Sequence, residues 1–518
     1  MTSWSMDLFD WDPDVLGVLM APFTGTELPG WTAQALDAGL ASVILFGHNT
    51  PDPAATADLA RAVHARAADC VVAIDEEGGD VTRLQSATGS SLPTAWALGE
   101  VDDVELTREV GRALGDLLAA CDLDLDLAPV LDVSTDPANP VIGTRAFGDE
   151  PDRVARHARA FATGVTEAGL GTCAKHFPGH GATATDSHTA LPRIDLDAAE
   201  FGRDHLSPWR IVPWLDSVMT AHVLVPAHGE GPASISPWSR PLLDRAVGGT
   251  YQGLVITDAL DMAAVAADPG YGESAVRAIE AGADLLCLGS SLRRDDQQML
   301  REAHDALLGA VATGRLPRAA LRARAERTRD RLRSLRTRRR FVPAPALENA
   351  LERAERLGAA AAARAVRARH ASLGAGPVLV HDLRVTAQHA SGARAPQLVD
   401  ALRARGVPAE AAEVEVGDSP GQGPVPQWPS YPAPAPAPDP FSSPAADAPQ
   451  RLALTRLPRS DTEEGGRLSA LLARHPETIV VHTGVPDAAP DHRRLVLAHG
   501  AGRTMMRAVA ELLLRGPR

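Results

Sequence analysis

The sequence predicts an α/β chain: a (β/α)8 barrel over residues 1–335, a linker at 336–350, and a smaller α/β domain over 351–518. Three observations carry that prediction. At 518 residues the chain exceeds what one ordinary core organises, so two or more domains are required. Eight short apolar runs alternate with helix-length segments through the first part of the chain, the pattern of repeated β/α units. Polar residues collect just after those runs, as they do at the C-terminal mouth of a barrel. A doubly wound open sheet is the competing architecture, but the Gly-rich fingerprint after its first strand is missing.

The first strand is expected at Leu16–Met20. The second, Ser42–Phe46, ends in Phe46-Gly47-His48-Asn49, and the third, Cys70–Asp75, runs into Glu76-Glu77-Gly78-Gly79. The fourth, Leu123–Leu131, leads through Asp132 to Asn139–Arg145. The fifth, Gly171–His176, delivers Lys175 and His176. The sixth, Ser217–Val223, delivers His222, and the seventh, Gly253–Asp258, ends on a carboxylate. The eighth is Asp284–Gly289. Ala54–Ala68 and Asp152–Gly169 read as crossover helices. Arg301–Arg340 reads as a basic helix leaving the barrel, its charge run a solvated face that docks on the next domain. Beyond it, strands are expected at Val378–Asp382, Arg451–Leu457, Thr478–His482 and Leu495–Ala498, with helices at Ala395–Arg405 and Arg503–Leu514. Between them lies a Pro-rich insertion at 424–449, read as an extended spacer or loop.

Composition narrows the function. The formal net charge of -15 argues against non-specific binding to nucleic acid or to an anionic membrane. No apolar stretch has the length of a membrane span. Aromatics make up only 4%, so the eight Trp are either core packing or sugar-stacking surfaces. Cys70, Cys121, Cys173 and Cys287 sit in apolar surroundings without metal-ligand spacing and read as buried free thiols. The N-terminus lacks the charge and apolar run of a secretion signal, so the expectation is a soluble cytoplasmic protein.

Among 51 Lys and Arg residues, Lys175 is the single lysine. Arg is a broad planar fork and Lys a compact ammonium, so a site that keeps Lys against such a bias needs a small cation in a tight place. Its neighbours are His176, His180 and the turn Pro178-Gly179, followed by Asp186-Ser187-His188. An Asp and a His two apart can form a dyad, the Asp orienting the imidazole and the His moving the proton. Asp258, closing an apolar strand, is costly there unless paired or functional; it suits a nucleophile, a metal ligand or a helix cap. Asp75, Arg83, Arg145, Lys175 and His176 form a convergent set suited to gripping sugar hydroxyls or an amide, with Asp132 and His222 supporting it.

Several segments together resemble glycoside hydrolase family 3, specifically its β-N-acetylglucosaminidase branch. They are 44–49, 73–79, 126–132, 139–148, 175–188, 219–223 and 256–262, in the family's order. The specific one is Lys175–His188, which separates this branch from the family's β-glucosidases. The resemblance implies a barrel followed by an α/β sandwich, no metal or other cofactor, and a small carbohydrate substrate such as a muropeptide or chitooligosaccharide. It implies a retaining mechanism in which Asp258 is the nucleophile and His188, oriented by Asp186, the acid/base. It also implies substrate-binding roles for Asp75, Arg83, Arg145, Lys175, His176 and His222.

Two departures stand out. Asp80 follows Glu77-Gly78-Gly79 where the family often has Arg, which puts ligand affinity or local geometry in question. The spacing around Pro208-Trp209 is unusual, which does the same for the sixth helix and an aglycone contact. Three other readings remain at this level. A phosphorylase would use phosphate in place of water at the same site, since a His acid/base tolerates an anionic acceptor. A metal-dependent hydrolase would use His176, His180, His188, His222 and Asp258. A non-catalytic sugar-binding protein would have no need of Asp258, Asp186 and His188.

Overall fold

Every apolar run expected to be a barrel strand overlaps one in the computed structural model, which describes residues 10–183, 191–290, 294–385, 396–412 and 449–515. The strands are β1 (Leu19–Ala21), β2 (Ser42–Leu45), β3 (Val71–Ile74), β4 (Leu125–Asp126), β5 (Gly171–Phe177), β6 (Ser217–Thr220), β7 (Leu254–Thr257) and β8 (Leu286–Cys287). All pair in parallel with their sequence neighbours, β1 also pairs with β8, and a bridge from Ile256 to Leu285 closes the ring. Alternation along the strands builds two apolar layers, because successive side chains point to opposite faces. Val71, Ala73, Ile44, Leu254 and Ile256 fill the barrel interior, while Val72, Ile74, Val43, Leu45 and Val255 face the surrounding helices.

The helices start where caps and prolines dictate. Pro53–Arg66 begins with Pro in its first turn, and the Asp52 side chain accepts from the Ala55 N–H. Val104–Ala120 is capped the same way by Asp103. It packs against Pro151–Glu167 so tightly that a Cβ on Gly164 would come within 2.1 Å of the Arg108 carbonyl oxygen. Larger residues at that crossing would force the pair apart. Among the described residues after β5 the chain forms a short α-helix, Ala198–Phe201, then a π turn, Gly202–Leu206, and a 3-10 helix, Ser207–Trp214. Trp209 is fully buried there, its ring edge-on to Phe177 at 4.9 Å, so it is core and not an aglycone contact.

The basic segment is two helices, Asp296–Ala312 and Arg318–Phe341, so the expected linker at 336–350 is helical through Phe341. The second helix does not present its arginines only to solvent. Three of them pair with aspartates at the starts of alternate strands, on the barrel's N-terminal face. Arg336 bonds Asp124 at 2.5 Å, Arg338 bonds Asp216 through two contacts of 2.9 and 2.7 Å, and Arg327 bonds Asp284 at 2.5 Å. Each aspartate also accepts a backbone N–H of the preceding strand region, from Val72, Thr172 and Val255 in turn. A charge run alone does not reveal this, because its partners are scattered through the sequence. Asp216→Ala is expected to destabilise the protein by roughly 2–4 kcal/mol, since it strands Arg338 and the Thr172 N–H. Urea unfolding should read that loss.

The same face holds a pH-dependent contact. The His64 ring bonds Asp122 at 2.8 Å and Asp124 at 2.9 Å. Burial disfavours the charged ring, but hydrogen bonds to Asp122 and Asp124 outweigh it, and the pKa is raised. A raised folded-state pKa stabilises fully below the ordinary His value of about 6.5, and that stabilisation fades as pH rises through the folded value. His64→Gln should therefore flatten the fall in unfolding free energy as pH rises above about 6.5. An unchanged slope would show that His64 does not titrate this way.

The chain divides into two units. One comprises the chain through Ala365 together with the segment His499–Met505; the other takes up the chain from Val366 and again from Met506. The second unit has one six-stranded sheet in the order β11-β10-β12-β13-β14-β9. These are β9 (Arg367–Arg369), β10 (Val378–Asp382), β11 (Ala409–Ala411), β12 (Gln450–Thr455), β13 (Ile479–His482) and β14 (Leu495–Leu497). Only β9 runs antiparallel, against β14. Helices Gln397–Arg403, Glu463–Arg474 and Arg503–Arg515 accompany the sheet. Most of the Pro-rich insertion at 424–449 lies outside the described residues.

Candidate active site

The polar strand ends meet at the C-terminal mouth of the barrel. Asp75 and Glu77 follow β3, and Lys175 lies within β5, where the register to β6 shifts between Ala174 and Phe177. The Lys175 ammonium is buried between two carboxylates, 2.6 Å from Asp75 Oδ1 and 2.7 Å from Glu77 Oε1. Burial works against its charge, but Asp75 and Glu77 outweigh that and hold its pKa above the ordinary lysine value. A single compact ammonium reaches both carboxylates at once, which suits a lysine at this position.

Glu77 is the hinge of the cluster. Its carboxylate takes Lys175 and also a two-pronged contact from Arg145, Nε to Oε2 at 2.8 Å and Nη2 to Oε1 at 2.7 Å. Burial would raise its pKa, but Arg145 and Lys175 pull it well below the carboxylate range. Arg145, in the turn Gly143–Arg145, also donates to His176 Nε2 at 3.4 Å. His176 Nδ1 is 2.7 Å from Asp132 Oδ2. With Nε2 accepting, Nδ1 carries the proton and donates to Asp132, which fixes the tautomer. Asp132 accepts two backbone bonds as well, from His176 and from His180. Burial opposes its charge, yet His176 and His180 leave its pKa lowered. Arg83 sits at the edge of the set, its guanidinium 4.0 Å from Asp75.

A lower layer holds these groups in place. Buried Glu76 accepts the backbone N–H groups of Arg83 and Leu84 at 2.7 and 3.0 Å, fixing the turn that carries Arg83. Burial pushes its pKa up to about 6 despite those bonds. Asp126, beneath it, is pushed well above the carboxylate range, by burial first and foremost. The Asn139 side chain accepts from Val141 and Ile142 and donates to the His180 carbonyl, tying the strand-four loop to the strand-five loop. Burial lowers the His180 pKa to about 4, and its Nδ1 lies 2.8 Å from the Thr183 hydroxyl.

Asp258 follows β7, its N–H donating to the Thr220 carbonyl and its Oδ1 accepting from the Ala259 N–H at 2.7 Å. Its side chain remains partly exposed. His222 is fully buried below this turn, with Nε2 2.9 Å from the Ala259 carbonyl and Nδ1 2.6 Å from the Ser234 hydroxyl. The ring donates from Nε2 and accepts from Ser234. His222, expected among the substrate-binding residues, lies under the turn that carries Asp258. Asp186 and His188 lie outside the described residues. Among the described residues, no group of three or more His, Cys, Asp or Glu side chains is arranged to hold a metal ion. No described helix is long and apolar enough to cross a membrane.

Glu77 and Asp80 make contacts that their sequence positions do not foretell. Glu77 was visible only as the second acid of Glu76-Glu77-Gly78-Gly79; nothing in that spacing says which acid faces the site. Asp80 accepts the Thr144 hydroxyl and the backbone N–H groups of Ala501 and Gly502. Those partners are remote in sequence, so a substitution there could be seen but not interpreted.

Residues 32–330 match the model of the glycosyl hydrolase family 3 N-terminal domain. The beta-hexosaminidase of Neisseria meningitidis serogroup C (strain 053442) is 35% identical over 282 residues, covering 52% of this chain and 77% of that protein. The glycoside hydrolase family 3 beta-N-acetylglucosaminidase from Paenibacillus sp. str. FPU-7 superposes with a TM-score of 0.78 at 27% identity, over 99% of this chain and 98% of that one. A beta-glucoside phosphorylase superposes with a TM-score of 0.73 over 99% and 93% of the two chains, but at 17% identity it shares the fold alone. The closed barrel, the charged mouth and the matched residues together establish that this chain belongs to glycosyl hydrolase family 3 and is a glycoside hydrolase.

Proposed function

We propose that the enzyme removes terminal, non-reducing β-linked N-acetylglucosamine with retention of configuration. The observation that carries this reading is the continuous network Asp75–Lys175–Glu77–Arg145–His176–Asp132, largely buried, at the barrel end where Asp258 follows β7. Fixed donors and acceptors of both signs suit a neutral ligand rich in hydroxyls with one amide. The names of the hexosaminidase and N-acetylglucosaminidase relatives support the same sugar.

In this reading Asp258 attacks the anomeric carbon as the glycosidic C–O bond breaks, and His188 gives its proton to the departing oxygen. The covalent glycosyl-aspartate then receives a water whose proton His188 takes back, releasing the sugar and free Asp258. Asp186 orients His188. Asp75 holds sugar hydroxyls, and Arg83, Arg145, Lys175 and His176 complete the pocket. His222 acts through the Asp258 turn. Muropeptides and chitooligosaccharides are the substrate class, and the buried free thiols fit a reducing, cytoplasmic setting.

The test is release of p-nitrophenol from its β-N-acetylglucosaminide, with and without phosphate, identifying the sugar formed. Free N-acetylglucosamine at a phosphate-independent rate supports hydrolysis. Sugar 1-phosphate makes the enzyme a phosphorylase, and no release overturns the sugar specificity. His188→Ala is expected to slow substrates with poor leaving groups far more than activated aryl glycosides, because only the former need the proton. Equal losses on both would remove His188 from the acid role.

A further inference from the structure

We propose that Asp80 is a positioning residue that sets the N-acetylglucosamine pocket by fixing the Arg145 turn to the chain segment His499–Gly502. The inference deepens the proposed function and rests on its reading of Arg145 as a ligand-binding group.

One carboxylate joins three pieces of chain. Asp80 Oδ1 accepts the N–H groups of Ala501 at 2.7 Å and Gly502 at 2.9 Å. These two residues immediately precede the helix Arg503–Arg515, so their N–H groups belong to a helix start where a negative charge is favoured. Asp80 Oδ2 accepts the Thr144 hydroxyl at 3.2 Å. Thr144 is the neighbour of Arg145 in the turn Gly143–Arg145. Arg145 in turn holds Glu77 and reaches His176. The path from the 499–502 segment to the pocket is therefore Asp80, then Thr144, then Arg145.

The fit around this carboxylate is close. A Cβ on Gly502 would come within 2.8 Å of the Gly79 carbonyl oxygen, and one on Gly500 within 2.5 Å of the Thr94 methyl. The Thr94 hydroxyl donates to the His499 carbonyl, Arg503 Nε to the Gly89 carbonyl, and the Thr504 N–H to the Ser90 carbonyl. The segment is thus seated on the loop that follows β3, and it would remain seated through these contacts without Asp80. What Asp80 adds is the bond to Thr144. An arginine at this position could not accept from any of these donors.

The experiment compares steady-state constants of Asp80→Ala, Asp80→Asn, Thr144→Val and Arg145→Ala on an aryl β-N-acetylglucosaminide. Asp80→Ala is expected to raise KM roughly 5- to 50-fold while kcat changes by no more than about 3-fold, because Asp258 is untouched. Asp80→Asn should recover most of the KM, since its amide keeps an oxygen for the segment and an N–H for Thr144. Thr144→Val leaves the segment bonds intact and should raise KM too, with Asp80→Ala adding little to it in the double variant. Equal falls in kcat and kcat/KM, no recovery by Asn, or additive effects would overturn the positioning role. If Arg145→Ala raises KM but Asp80→Ala and Thr144→Val do not, this inference alone fails. If Arg145→Ala leaves KM unchanged, the pocket reading itself fails, and the inference with it.

Discussion

Asp258→Asn is expected to leave sugar binding and folding intact while lowering kcat by at least roughly 10³-fold, the scale seen when a nucleophile is removed. The reasoning starts from the turn. Asp258 Oδ1 accepts the Ala259 N–H, and an asparagine oxygen can accept the same bond. His222 and Ser234 hold the following carbonyl whichever residue stands at 258. The shape of the site is kept and only the carboxylate's charge is lost, the charge that the proposed mechanism needs for attack. Mass spectrometry during turnover of an activated substrate should show a glycosyl adduct on the native chain and none on the variant. Normal turnover by Asp258→Asn would sink the covalent mechanism.

Glu77→Gln is the second large effect. The glutamate neutralises Lys175 and Arg145 at once, all three side chains being nearly buried. The substitution preserves shape but removes the charge both cations depend on. Breaking a buried pair in this way costs about 3–5 kcal/mol, because an uncompensated charge stays behind. Lys175 keeps Asp75, but Arg145 loses its two-pronged partner and its fixed approach to His176. Stability in urea should fall by that amount and KM should rise together with it. The sign with pH follows from the lowered pKa of Glu77. Its stabilisation is present above the ordinary carboxylate value of about 4.3 and is lost as pH falls through its lower folded-state value. The variant should therefore lose the acid-side part of the native pH–stability curve. A Glu77→Gln enzyme as stable as the native one would mean that the network does not hold the pocket.

The two effects differ in kind, and that difference maps onto what could be read early. Asp258 announces itself because a carboxylate ending an apolar strand has few structural uses. Lys175 does so because it is the single lysine in a chain that otherwise uses arginine. Glu77 gives no such signal. Its importance comes from its two cations, one from the strand-four loop and one from β5. The basic helix Arg318–Phe341 misleads in the opposite direction. Its charge run suggests a solvated face, yet Arg327, Arg336 and Arg338 have single aspartate partners that sit far away in sequence at strand starts.

By itself the sequence determined the periodic features: eight β/α units, strands whose alternating side chains form inner and outer layers, and polar groups gathered at one end of the barrel. Those follow from local propensity and hydrophobic pattern, which every short window carries. It also singled out the residues proposed here to react, because their chemistry is written in single side chains. The tertiary structure alone decided who pairs with whom. Lys175 between Asp75 and Glu77, His222 beneath the Asp258 turn, and Asp80 between Thr144 and Gly502 are contacts across large sequence separations. Burial gives such contacts their strength, and burial is a property of the folded chain.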